Sequence, residues 1–270
     1  MVKITLPYCG DLVRRYDPDR FLITLKMPPE KRPALWALFA FNHEIAKTRE
    51  VVTDTTIGLI RLQWWRDALA QIYEKDTVQP NEILTALYQA IKTFNLSREW
   101  LDALIYAREF DLQNVPPASL PGLEHYADYI NTPLVRLALQ ITEQTEEDTV
   151  LRNIATSYSL TGLLRAVPFH AQQQRCFLPA DLMARHHISE TALYDLKPES
   201  SYLNITEMIA KRATDLTRTK PQSPLLQTHR RLSRLYLRQI KKLDYNVMSP
   251  HMAAPPAFFH LQFALPSLQL

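Results

Sequence analysis

Apolar residues recur along this chain three and four positions apart, and nowhere do they alternate over a strand's length between turn-forming residues. Residues 32–50 set Leu35, Trp36, Leu38, Phe39 and Ile45 densely behind Pro33, whose missing N–H costs little in a first helical turn. Residues 57–75 repeat the pattern, with Ile60, Trp64, Ala68 and Ile72 on one face. Further helices are expected over 81–94, 97–112 with Ser97 as N-cap, 122–141, 147–167, 203–218 and 225–243. The breaks fall at 77–80, 116–121, 179–188, Pro198 and 221–224, and they hold eight of the nineteen prolines. Pro133 sits inside a helical run and predicts an end or a kink at Thr132. The pattern predicts an all-α single domain of about eight helices over 1–252, then an apolar, proline-containing tail over 253–270 that packs back on the bundle.

Composition narrows the chemistry. With 270 residues, 46% of them hydrophobic, the chain has ample material for a core. Four glycines are few against a usual content of about 7%, and no glycine-rich phosphate loop or nucleophile elbow occurs. Thirty-one basic residues against 28 acidic ones give a net charge of +3, too dilute for a dedicated nucleic-acid binder, so no nucleic-acid partner is expected. Cys9 and Cys176 flank no second cysteine at C-x-x-C spacing and read as two reduced thiols. The opening MVKITLPYCGDLVRRYDPDRF has no signal-peptide core and is too acidic for a mitochondrial leader. It predicts either a bacterial protein of the cytoplasm or the cytoplasmic face of the inner membrane, or a mitochondrial matrix or inner-membrane protein whose targeting segment is absent. No run approaches the ~18 apolar residues of a membrane span.

Three phrases join aromatic and basic residues: PPEKRPALWALFAF (28–41), RLQWWRDAL (61–69) and LLRAVPFHAQQQRCFLPADL (163–182). In these the chain resembles the squalene and phytoene synthase family, from near residue 15 to near residue 245. The resemblance implies an isoprenoid synthase-like helical bundle in which two Asp-rich helices grip Mg²⁺ ions that hold prenyl diphosphates. Carboxylates at i and i+4 share a helix face and can chelate a metal bridging diphosphate oxygens, and the metal neutralises the leaving group. The family's DDxxD form falls on Ala46, Lys47, Thr48, Arg49 and Glu50, leaving one carboxylate of three. Its RDxxED form falls on Arg165, Ala166, Val167, Pro168, Phe169 and His170, which keeps Arg175 and the 177–179 Phe-Leu-Pro but no acid. Such degenerate motifs predict no metal site, no cofactor and no catalytic residue.

The strings AFNxE, Thr56 to Trp64, Leu164 to His170 and Lys242 to Pro250 resemble one branch in particular, the assembly factor 6-like branch that serves respiratory complex I (NADH:ubiquinone oxidoreductase). That resemblance implies a synthase-shaped protein without synthase activity, whose partners are complex I subunits of the peripheral arm or other assembly factors, with peripheral contact to the inner membrane. Two alternatives stay open: a Mg²⁺-dependent prenyl diphosphate transferase, and a non-catalytic binder of an isoprenoid or lipid. For either, the remnant cavity would be lined by Arg61, Trp65, Arg165, His170 and Arg175. The arginines would face an anionic head group or else form ion pairs and caps, and His170 lacks a partner at ligand spacing.

Trp36, Phe39, Trp64 and Trp65 read as core before they read as cavity lining. Glu44, Glu50 and Asp54 form a weak acidic cluster that the second segment does not oppose. His186 and His187 are adjacent and point apart. Arg231, Arg234, Arg238 and Lys241 line one side of the 225–243 helix, as a solvated face or as a contact for an anionic membrane surface.

Overall fold

Helices account for every regular element among the described residues, and no strand occurs there. The computed structural model describes residues 6–195, 201–252, 254–256 and 259–264. Pro198 and much of the expected tail lie outside them. In chain order the helices are α1 (Tyr8–Tyr16), α2 (Pro18–Leu25), α3 (Arg32–Ala46), α4 (Thr48–Val51), α5 (Thr55–Lys75), α6 (Glu82–Phe94), α7 (Arg98–Gln113), α8 (Leu120–Thr142), α9 (Asp148–Arg165), α10 (Val167–Gln172), α11 (Ala180–Arg185), α12 (Glu190–Tyr194), α13 (Ser201–Leu216), α14 (Pro224–Lys242) and α15 (Phe259–Ala264). Short 3₁₀ turns cover Pro29–Lys31 and Pro250–Met252.

The chain forms two compact units, each assembled from separate stretches. The first takes residues up to Gln113, then Tyr129–Glu146 and Ser223–Leu225; the second takes Asn114–Asp128, Glu147–Gln222 and the chain from Leu226 onward. In the first unit α3 is buried nearly all round, packing on α1 and α6 with Leu35, Leu38, Phe39, Phe41 and Ile45 inaccessible. Its partner pair α5 and α7 meets closely at Gly58, where an added Cβ would stand 2.7 Å from a Leu112 δ-carbon. In the second unit α9 packs along α13, and Leu160, Leu164, Ile205, Ile209 and Ala213 fill the space between.

Local chemistry explains the boundaries. Asp54 accepts from the Thr56 and Ile57 amides to start α5, Asn81 does the same at α6 and Glu147 at α9. Asp76 and Asn95 stop α5 and α6 in the left-handed conformation that glycine usually supplies, which is how a glycine-poor chain ends its helices.

Four expectations need correction in whole or in part. The helix read over 32–50 resets at Lys47, and that over 147–167 resets at Ala166, where Pro168 opens the next helix without an N–H to give. Of the end or kink expected at Pro133, the end does not occur: α8 runs through to Thr142. Burial of Leu134, Val135, Leu137, Ala138 and Ile141 offsets the lost bond and clash, which cost about 3 kcal/mol in an exposed helix. On α5, Ala68 and Ile72 are buried, but Ile60 and Trp64 face solvent at 65% and 39% exposure. The buried stripe is Gly58, Leu62, Trp65, Leu69 and Ile72.

Candidate functional site

The first degenerate motif lies where α3 gives way to α4. Glu44, two residues before it, is a carboxylate that is already engaged. Arg61 Nη2 lies 3.2 Å from one of its oxygens and Lys47 Nζ 3.6 Å from the other. Ala46 offers no ligand atom, Glu50 is exposed on α4, and Asp54 is committed to capping α5. The acidic cluster expected from Glu44, Glu50 and Asp54 is therefore an ion pair, a surface charge and a helix cap.

Arg61 and Trp65, a turn apart on α5, come together. With Glu44, Ile57, Ile60 and Trp64 they line a cleft of about 470 Å³ on the first unit. Trp65 forms its buried wall, meeting Phe41 edge-on at 5.4 Å and Trp64 at 4.9 Å. Trp36 and Phe39 are core: the Trp36 indole N–H donates to the Thr24 hydroxyl at 2.8 Å inside the bundle.

The second motif belongs to the other unit. Arg165, the last residue of α9, lays its guanidinium 3.4 Å from the centre of the Tyr236 ring on α14. His170, at the end of α10, turns to a different group. Its ring lies 4.6 Å from Phe177, which stacks on Tyr126 at 5.4 Å, and the buried Arg175 sits over the same Phe177 ring at 5.0 Å. His170 Nδ1 is sealed from solvent without a hydrogen-bond partner. Burial, reinforced by the Arg175 charge, pushes its pKa down to about 3, so it stays neutral. Ala166 is half-buried and Phe169 is exposed. The structure thus gathers His170 and Arg175 around Phe177 and places Arg165 on Tyr236.

These residues do not fit the Mg²⁺ that the resemblance would imply. Mg²⁺ requires hard oxygen donors in near-octahedral array, and it sheds water only where negative charge compensates. The first motif offers only the exposed Glu50, with Glu44 beside it under two cations; the second offers an arginine, an alanine, a phenylalanine and a neutral imidazole. Among the described residues no three His, Cys, Asp or Glu side chains gather as a metal would need. His186 and His187 close α11.

One polar cluster escaped the sequence reading. Arg108 and Asp111 on α7 pair at 3.2 Å with less than a tenth of either side chain exposed, and Arg108 also donates to Asn42 on α3 at 3.2 Å. Its signal was an Arg and an Asp three apart on the apolar side of a helix, a place that charges occupy only when paired.

The profile of the squalene/phytoene synthase family matches residues 13–256. The chain belongs to that family. Among family relatives, it is 28% identical over 255 residues to a human protein named NADH dehydrogenase (ubiquinone) complex I, assembly factor 6, spanning 91% of this chain and 76% of the human one. It is 23% identical over 190 residues to the presqualene diphosphate synthase of Rhodopseudomonas palustris, covering 69% of this chain and 67% of that enzyme. The crystal structure of a dehydrosqualene synthase superposes with a TM-score of 0.78 at 16% identity, covering 95% of this chain and 92% of that one. This likeness shows that the synthase-family fold, all-α and isoprenoid synthase-like, is retained in this chain. No helix among the described residues is long and apolar enough to cross a membrane.

Proposed function

We propose that this member of the squalene/phytoene synthase family is a non-catalytic assembly factor for respiratory complex I, working without a metal cofactor. The observation that carries the reading is the state of the acids in and beside the first motif: Glu44 is bound by Arg61 and Lys47, Glu50 alone remains of the motif's three carboxylate positions and stands exposed, and no acid remains at Ala46, Lys47, Ala166, Phe169 or His170. Similarity along 91% of the chain to the human complex I assembly factor 6 supplies the direction of the function. Its partners are then subunits of the peripheral arm or fellow assembly factors, and its place is the compartment into which that arm projects.

Two experiments test it. A tagged chain is recovered from its own cells and its companions identified; complex I subunits or assembly factors are expected, and NADH:ubiquinone oxidoreductase activity is expected to fall when the gene is deleted. Intact complex I in the deletion strain overturns the reading. Incubation with Mg²⁺ and farnesyl or geranylgeranyl diphosphate is expected to yield no condensed product, and turnover would restore the enzyme reading instead.

A further inference from the structure

The second unit carries a basic groove that neither degenerate motif touches. It runs between α13 and α14, has a volume of about 540 Å³, and is lined by Lys211 of α13, Arg218 from the turn after it, and Arg234, Arg238 and Lys241 of α14. Asp215 is the one carboxylate of its lining, and it is taken up by Arg218 at 3.0 Å. Lys211 is paired outside the groove with Glu207 at 3.0 Å.

Among the described residues the three cations of α14 have no acid partner, unlike Lys211 and Arg218 across the groove. No carboxylate among the described residues lies within salt-bridge distance of Arg234, Arg238 or Lys241. They recur at i, i+4 and i+7 and so share one helix face, spread along about 10 Å of it. Like charges at these spacings repel one another, and the strain shows in their neighbours: burial and the Arg234 charge lower the pKa of Arg230, as burial and Arg238 do for Arg231. Below the cations the floor is apolar, formed by Ala210 and Leu237, with Tyr245 at one end. Met208, one turn before Lys211 on the same side of α13, is 40% exposed.

We propose that this groove binds the phosphate group of an organic phosphate, its oxygens held by Arg234, Arg238 and Lys241 and its organic part resting on Leu237 and Tyr245. Guanidinium groups present forked donors that match phosphate oxygens, and a charge cluster with no internal acid releases repulsion when a dianion enters. An apolar floor under an anion-binding rim suits a ligand with both characters. The inference does not depend on a role in complex I assembly.

The phosphate could belong to a soluble molecule or to a lipid headgroup, and the test separates them. The full chain is titrated with inorganic phosphate by calorimetry and, in parallel, floated with phosphatidylcholine vesicles with and without phosphatidylglycerol. The variants are Arg234→Gln, Arg238→Gln and Lys241→Gln, all at exposed positions, with Lys75→Gln and Lys92→Gln on the first unit as controls for overall charge. Either phosphate binding in solution, or flotation only with phosphatidylglycerol, is expected to weaken about five- to tenfold for each groove cation removed and to persist in the controls. The first outcome assigns a soluble phosphate and the second a headgroup. Absence of both, equal loss in the controls, or groove-dependent binding of polyglutamate without binding of phosphate in either form overturns the proposal.

Discussion

Arg61 Nη2 stands 3.2 Å from Glu44 Oε2, joining α5 to α3 where the family's enzymes would be expected to hold metal. With Lys47 on the other carboxylate oxygen, the position carries a surplus of positive charge. Addition of Mg²⁺ at millimolar levels is expected to leave the melting temperature unchanged, because ligand binding to the folded state would raise it. A magnesium-dependent rise in Tm, read by differential scanning fluorimetry, would show a metal site built from other residues.

Gly58 lets α5 approach α7. A Cβ there meets both δ-carbons of Leu112 at 2.7 and 2.8 Å, and Leu112 is itself buried. Gly58→Ala gains helix propensity of about 1 kcal/mol but overpacks the contact at a cost of about 1–3 kcal/mol, so a net loss of stability is expected. Leu112→Ala should relieve that clash, and denaturant unfolding of the double variant should show a smaller loss than the two single losses added.

The Arg108–Asp111 pair is buried, so its halves are not dispensable one at a time. Asp111→Ala strands a buried guanidinium and is expected to cost about 3–5 kcal/mol, whereas Arg108→Met with Asp111→Leu should cost far less. Equal losses in the single and double variants, by urea denaturation, would mean that the pair contributes to stability beyond mutual neutralisation.

His170 gives the acid limb of stability a definite sign. Its ordinary pKa is 6.5 and the folded environment lowers it to about 3, so between these values the unfolded chain binds the extra proton. Stability is therefore complete above pH about 6.5 and declines as pH falls, with a slope approaching at most about 1.4 kcal/mol per pH unit. His43, lowered chiefly by burial, adds a slope of the same sign. His170→Phe should flatten the dependence of Tm on pH between 4 and 6, and an unchanged profile would place the proton elsewhere.

Helix positions were legible because burial imposes a 3.6-residue period, whereas Asp54, read as part of an acidic cluster, shows itself as the cap of α5 only through its bonds to the Thr56 and Ile57 amides. The local breaks at Lys47 and Ala166, and the survival of α8 through Pro133, were not, because they depend on what the flanking turns bury rather than on the residue at the break. Arg61 and Trp65 share a cleft because they lie a turn apart on α5. Arg165 parts from His170 because Tyr236, some seventy positions later, offers it a ring face. The sequence shows which acids are missing; it does not show that Glu44 has been claimed by Arg61, since that contact joins two helices.

The way each unit is gathered from non-adjacent stretches bears on how the gene can be cut. A fragment ending at Gln113 would lack Leu134, Val135, Leu137 and Ile141, which complete its apolar interior, and the bonds from Arg20 to Asn131 and from Ser97 to Gln140 that tether them. On the ribosome those residues emerge only after the first stretch of the other unit has been made. Neither half is an autonomous module, and shuffling, truncation or splitting at the visible boundary should yield sticky, partly collapsed polypeptide rather than a smaller working protein.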